Sequence, residues 1–302
     1  MIRLPGWLRR KPANPDGRMS VMDHLRELRR RLIVVVIVVG LGAVLGWYLY
    51  PHVLDFLSKP YCHVPTKYRF INAADPNKCQ LVYSGVLDGF TVRLKVSVIT
   101  GMIFTSPLWL YQIWGFITPG LHKNERRYTF VFIITSTLLF AAGVVLAFVV
   151  LFKGIEAILQ LSGSGTAALL TANAYITFVT LMLLVFGASF ELPLIVVLAN
   201  FAGVLSAKML KKSQRMAVFL IFVFAAVATP TTDPFTMIAM AVPMVLLYEA
   251  AVIVATIHDR RKAARLAIER EAPHENDSVP SQIDPIPKQW KDRGADQWSD
   301  TT

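Results

Sequence analysis

Apolar and polar residues follow one another in long blocks along this chain. Six apolar runs cover approximately residues 32–50, 94–113, 130–152, 175–198, 216–229 and 235–257. A helix of about 20 apolar residues is long enough to cross the hydrocarbon core of a bilayer. We therefore predict an all-α polytopic membrane protein with six transmembrane helices. The fifth run is the shortest, and its helix would either fall short of the bilayer or thin it locally.

The distribution of charge predicts the orientation. Most of the 31 Lys and Arg residues lie in the two tails, in the loop around Lys123 and in the loop around Arg215. Basic loops stay in the cytoplasm, so both termini are predicted to be cytoplasmic. The net charge of +11 could suggest a nucleic-acid partner. Its clustering between apolar runs favours a lipid bilayer instead, with no nucleic acid bound.

Three regions are predicted. Residues 1–19 are basic and rich in proline, which is typical of a flexible tail. Residues 20–257 form the six-helix membrane domain, and a helix beginning near Val21 leads into the first span. Residues 258–302 form a cytoplasmic tail, basic and helical at first and disordered from Ala272 onward because it lacks an apolar period.

Glu191 is the most informative single residue, because its apolar run carries no other charge. A carboxylate near the bilayer centre costs at least about 2.5 kcal/mol, so such residues are rare and usually functional. Pro193 removes a helical hydrogen bond beside it, and Gly187 leaves room for water or another helix. A plainer interpretation is that Glu191 holds two helices together by hydrogen bonding. Glu249 is a second intramembrane carboxylate.

Two predicted cytoplasmic segments each place one carboxylate, Glu27 or Glu125, in a basic surface. The plainer interpretation is that these groups pair with nearby arginines, such as Arg31 four residues after Glu27. The alternative is that both receive a guanidinium ligand, whose planar fork matches a carboxylate. Enzyme, cofactor and metal motifs are absent from the sequence, so we expect no catalysis, no cofactor and no metal.

Cys62 and Cys79 are the only cysteines, and both lie in the first predicted outside loop. An oxidising compartment would permit a disulfide there. Two unpaired thiols are the alternative. A disulfide would brace the loop and would carry no chemistry.

Several motifs, in the same order, resemble the TatC family, the multispanning receptor subunit of the twin-arginine protein translocase. The resemblance covers about residues 20–257 and rests on the following segments: His24-Leu25-x-Glu27-Leu28-Arg29-x-Arg31-Leu32; Tyr111-Gln112-x-Trp114-x-Phe116-x-x-Pro119-Gly120-Leu121; Glu125-Arg126-Arg127; Phe186-Gly187-x-x-Phe190-Glu191-x-Pro193; Thr229-Pro230 with Asp233; and Pro243-Met244 with Tyr248-Glu249.

The resemblance implies specific roles. Glu27 and Glu125 would contact the twin arginines of a signal peptide, and Arg29, Gln112 and Phe116 would shape that surface. Glu191 would line a glove-like concavity within the membrane. Three further residues would hold the outside cap and turns: Pro60, Pro107 and Asp233.

The same resemblance implies partners and a location. Single-span TatA and TatB type subunits would dock at the last two helices, and other copies of the chain would join the complex. Folded cargo would cross the bacterial cytoplasmic membrane, driven by the proton gradient. Met237 stands where many relatives carry glutamine, which puts one hydrogen bond to a partner helix in doubt.

One alternative comes from another functional class. A proton-coupled small-molecule transporter could use Glu191 and Glu249. The sequence shows neither an internal repeat nor a charge relay between these residues, and transporters commonly have inverted repeats.

Overall fold

The computed structural model describes residues 21–64, 79, 81–117, 126–161, 171–229 and 233–271. These residues form helices α1 (Val21–Cys62), α2 (Asp88–Phe104), α3 (Ser106–Ile117), α4 (Arg126–Leu161), α5 (Ala172–Ser189), α6 (Leu192–Phe201), α7 (Ala207–Lys212), α8 (Gln214–Ala228) and α9 (Pro234–Glu271). The predicted all-α class is confirmed.

Within the described part of the chain, four segments are long and apolar enough to cross a membrane: Met22–Cys62, Phe130–Ile155, Ala172–Phe201 and Pro234–Ile268. The pair α2 and α3 is a fifth candidate, although it is bent by 63° where the two helices meet. The short helix α8 has 15 residues, about 22 Å at 1.5 Å per residue. These segments overlap all six predicted apolar runs. Six crossings and cytoplasmic termini stay predictions.

Helix α1 is longer than the sequence predicts. The first span was expected to end at Tyr50, yet the helix continues through Pro51 and Pro60 to Cys62. Pro51 has no N–H to donate to the carbonyl oxygen of Trp47. Nη2 of Arg93, on α2, donates to that oxygen instead at 3.4 Å, and the guanidinium lies 4.3 Å from the Trp47 ring. A neighbouring helix therefore replaces the donor that proline lacks.

The main core surrounds α5. Tyr175, Ile176, Val179, Met182 and Phe186 are all fully buried along this helix. The Tyr175 hydroxyl donates to the carbonyl of Leu57 at 2.6 Å, which fastens the extended end of α1 to the core. Burial of this side of α1 explains why the helix persists beyond the predicted span.

Glycines allow two helix pairs to pack closely. A Cβ atom at Gly46 on α1 would lie 2.4 Å from the carbonyl oxygen of Ser97 on α2. A Cβ atom at Gly143 on α4 would lie 2.6 Å from the carbonyl oxygen of Phe186 on α5. At Gly187, predicted to admit water or another helix, a Cβ atom would lie 2.8 Å from the Phe140 ring of α4. A helix therefore occupies that space.

Contacts divide the chain into one unit ending at His258 and another beginning at Asp259. The described part of the second unit is the end of α9, which is helical to Glu271, as predicted. Its side chains at positions 260–268 are exposed. The tail from Ala272 onward, predicted to be disordered, is not among the described residues.

Candidate functional site

Glu27, predicted to bind a ligand, lies where the first turns of α1 meet the last turn of α3. Both Nε and Nη2 of Arg31 donate to its Oε1 atom, with Nε at 2.9 Å. The side chains of Arg31 and Glu27 are only 24% and 26% exposed. The i,i+4 pair considered from the sequence is therefore present. Among the described residues, no donor reaches the second oxygen, Oε2.

Arg31 also connects the two helices. Its Nη1 atom donates to the carbonyl oxygen of Gln112 at 3.2 Å. The guanidinium lies directly over Gly115, where a Cβ atom would be 2.3 Å from Nη1. Gln112 thus contributes its backbone rather than its side chain. A larger residue at Gly115 would displace the Arg31 guanidinium from this position.

One aromatic contact completes this corner. The His24 ring stacks on the Phe116 ring with centroids 4.3 Å apart and an interplanar angle of 16°. Arg29 lies two residues after Glu27 on α1 and is exposed. We call the set His24, Glu27, Arg31, Gln112, Gly115 and Phe116 the α1–α3 surface. Glu125, its predicted second carboxylate, falls in the stretch 118–125, which lies outside the described residues.

Glu191 lies at the break between α5 and α6. The Ser136 hydroxyl of α4 donates to its Oε2 atom at 2.7 Å and accepts from Nε1 of Trp114 on α3 at the same distance. Ser136 and Trp114 are fully buried. The other oxygen, Oε1, is buried and has no hydrogen-bond partner among the described residues. Glu191 therefore joins three helices and keeps one unpaired acceptor.

The break itself follows from Pro193. This residue is in the first turn of α6, where a backbone N–H has no acceptor within the helix, so α6 loses no hydrogen bond to proline. The last i→i−4 bond before the break runs from the Phe190 N–H to the Phe186 carbonyl at 3.3 Å, and the Glu191 N–H then donates to the Ala188 carbonyl, only three residues back, at 3.1 Å. The predicted loosening of the helix beside Glu191 is confirmed.

Glu249, the second intramembrane carboxylate, has a different partner. The side-chain amide of Gln214 on α8 donates to its Oε1 atom. Neighbouring Tyr248 donates to the carbonyl of Leu210 at 3.2 Å. Within the described chain, these bonds do not link Glu249 to Glu191.

The residues predicted for the outside cap and turns lie in three different settings. Pro60 is buried inside α1. Pro107 is exposed in the first turn of α3, at the bend between α2 and α3. Asp233 caps α9, because its Oδ1 atom accepts from the Thr236 N–H at 2.8 Å and its Oδ2 atom from the Thr236 hydroxyl at 2.6 Å.

Cys62 and Cys79 are joined by a disulfide, with their Cα atoms 5.6 Å apart. Cys62 is the last residue of α1. The bond therefore fixes a point of the loop that follows α1 to the end of that helix.

Sequence reasoning missed three polar residues. Ser136 gave no signal, and Trp114 stands in a quoted motif but received no role. Lys95 did give one, since it is a charge within the second apolar run. Its Nζ atom donates to Oδ1 of Asn173 at 2.6 Å and to the hydroxyl of Thr177 at 2.7 Å, both on α5.

Known proteins resemble this chain over most of its length. The family model for the Sec-independent protein translocase protein TatC matches residues 23–243. A relative of that name from Frankia casuarinae is 45% identical over 258 residues, which are 85% of this chain and 71% of the relative. Another from Corynebacterium kroppenstedtii is 38% identical over 294 residues, 92% of this chain and 70% of the relative.

A solved structure agrees with the fold. The crystal structure of the twin-arginine translocase receptor TatC in DDM has a TM-score of 0.64 and 29% sequence identity. The match covers 77% of this chain and 99% of that chain. The chain belongs to the TatC family of Sec-independent protein translocase proteins.

Proposed function

We propose that this protein is the receptor and core subunit of a twin-arginine translocase. It binds the twin-arginine signal peptides of folded cargo proteins at the α1–α3 surface. The observation that supports this proposal most directly is the burial and hydrogen bonding of Glu27. Its side chain is about three-quarters buried and bonded to Arg31, and its Oε2 atom has no donor among the described residues.

The chemistry of this surface favours a guanidinium. A charge-assisted bond between a guanidinium and a carboxylate is about twice as strong as a neutral hydrogen bond. The basic residues around Glu27, including exposed Arg29 and Arg30, repel cations that cannot pair closely with a carboxylate. In our proposal Glu125 receives the second arginine, and Phe116 offers an aromatic face to the peptide.

The apolar part of the signal peptide then enters the membrane near Glu191. Single-span TatA and TatB type subunits and further copies of this chain assemble with it. The protein lies in the bacterial cytoplasmic membrane with both termini in the cytoplasm. The short helix α8 supports local thinning of the bilayer, which partner subunits would extend. Export of folded cargo uses the proton gradient.

Binding of a signal peptide tests the proposal. The protein in nanodiscs is titrated with a peptide carrying Arg-Arg before an apolar segment, and with the same peptide carrying Lys-Lys. We expect Glu27→Ala and Glu125→Ala each to weaken Arg-Arg binding by about 2–5 kcal/mol, because truncation leaves a desolvated cation without its partner. Asp23→Ala is the matched control, since Asp23 lies one turn earlier on α1 with 57% of its side chain exposed.

Two results would contradict the proposal. Equal binding of the Arg-Arg and Lys-Lys peptides would mean that only charge or hydrophobicity is recognised. An effect below threefold for both glutamate variants would remove their role. Either result would favour the alternative of a small-molecule transporter. The structure itself does not support that alternative, because Glu191 and Glu249 bond to different partners.

A further inference from the structure

We propose that Arg31 is a positioning residue of the signal-peptide site. It occupies Oε1 of Glu27 in the empty receptor and in the complex, so that Oε2 alone is presented to the ligand. Recognition then depends on a carboxylate whose orientation is set before the peptide arrives. This inference rests on the proposed function and deepens it.

The first argument is that α3 anchors Arg31 independently of Glu27. Nη1 donates to the Gln112 carbonyl of α3 at 3.2 Å, a bond that does not involve Glu27. The guanidinium lies in the space left by Gly115. These contacts keep Arg31 in place while a ligand approaches Glu27.

The second argument concerns which N–H groups of Arg31 and which oxygen of Glu27 are already paired. Nε and Nη2 of Arg31 both reach Oε1, and Nη1 reaches the other helix. A ligand guanidinium therefore pairs with Oε2 of Glu27 and directs its remaining N–H groups to other acceptors. A lysine ammonium lacks this fixed fork and cannot join two acceptors in one plane. The fixed carboxylate thus increases the preference for arginine over lysine.

Gly115→Ala tests this positioning without removing any charge. The new Cβ atom would lie 2.3 Å from Nη1 of Arg31, so the guanidinium must leave its place. That atom is the end of a flexible side chain, so the helices keep their packing. We expect Arg-Arg peptide affinity to fall about three- to tenfold, the cost of ordering one side chain on binding. Lys-Lys affinity stays unchanged, so the ratio of the two affinities falls.

Arg31→Lys is a second variant, which keeps the charge but cannot bond to Glu27 through two N–H groups and to the Gln112 carbonyl through a third. It should lower the same ratio to a similar extent. Arg26→Lys is the control, because Arg26 is 73% exposed and pairs with Asp23 at 3.6 Å. In a Glu27→Gln background, Gly115→Ala should cause no further loss of the ratio.

The outcomes separate the two proposals. If the wild-type protein binds both peptides equally, the proposed function fails. If Glu27→Gln abolishes the preference while Gly115→Ala and Arg31→Lys retain it, only the role of Arg31 is overturned. If Gly115→Ala lowers the ratio of the two peptide affinities equally in the wild-type and Glu27→Gln backgrounds, the role of Arg31 is also overturned. Arg31 would then not act through the Glu27 carboxylate.

Discussion

Gly46 should be among the positions least tolerant of enlargement in α1. In Gly46→Ala, the Cβ atom would lie 2.4 Å from the carbonyl oxygen of Ser97 on α2. A carbon–oxygen contact is ordinarily about 3.3 Å or longer, so the helices must separate by nearly 1 Å. The clashing atom belongs to the backbone and cannot rotate away. Overpacking of this kind costs about 1–3 kcal/mol, and we expect the free energy of unfolding to fall by that amount.

Gly40 provides a control on the same helix. A Cβ atom there would meet nothing within 4 Å. Alanine favours a helix over glycine by up to about 1 kcal/mol, so Gly40→Ala should be neutral or stabilising. The assay is unfolding of the protein in mixed micelles by increasing SDS, followed by circular dichroism. If Gly46→Ala unfolds at the same SDS fraction as Gly40→Ala, the close approach of α1 and α2 is not as described.

Two further predictions concern Glu191 and the disulfide. Glu191→Gln keeps an acceptor for the buried Ser136 hydroxyl and should lower stability less than Glu191→Leu, which leaves that donor unpaired and should cost about 1–3 kcal/mol in the same unfolding assay. We also expect Glu191→Gln to reduce export of a twin-arginine cargo, and full export would show that ionisation of Glu191 is dispensable. The double variant Cys62→Ser with Cys79→Ser should lose about 3 kcal/mol of stability, as should the reduced wild-type protein. An equal effect of reductant on the serine variant would contradict this explanation.

The fold was largely predictable because length and hydropathy alone identify apolar helices. Hydropathy alone did not show how far a helix continues where a neighbouring helix stabilises it. The first apolar run ends at Tyr50, but the helix continues through Pro51, where Arg93 on α2 donates to the Trp47 carbonyl. The bend between α2 and α3 was not predicted either. Pro107 lies inside the second apolar run, and the run was treated as one straight helix.

The site was predictable only where its contacts are local in sequence. Arg31 follows Glu27 by four residues, so a helical spacing predicts their contact. Ser136, which donates to Glu191, lies 55 residues away in the sequence. Trp114, which donates to Ser136, lies on yet another helix. Their meeting depends on how α3, α4 and α5 are rotated about their axes. Hydropathy places helices in a membrane but does not specify that rotation.

Helix α3 joins the two candidate sites. It has 12 residues, and Gln112 and Gly115 face Arg31 while Trp114 between them donates to Ser136 on α4. These three positions span a single helical turn, which is too short to bend internally while its hydrogen bonds are intact. A displacement of α3 by a ligand at the α1–α3 surface therefore moves Trp114 as well. The hydrogen bond from Trp114 to Ser136 is 2.7 Å, so a shift of about 1 Å away from Ser136 would break it and change what holds Glu191.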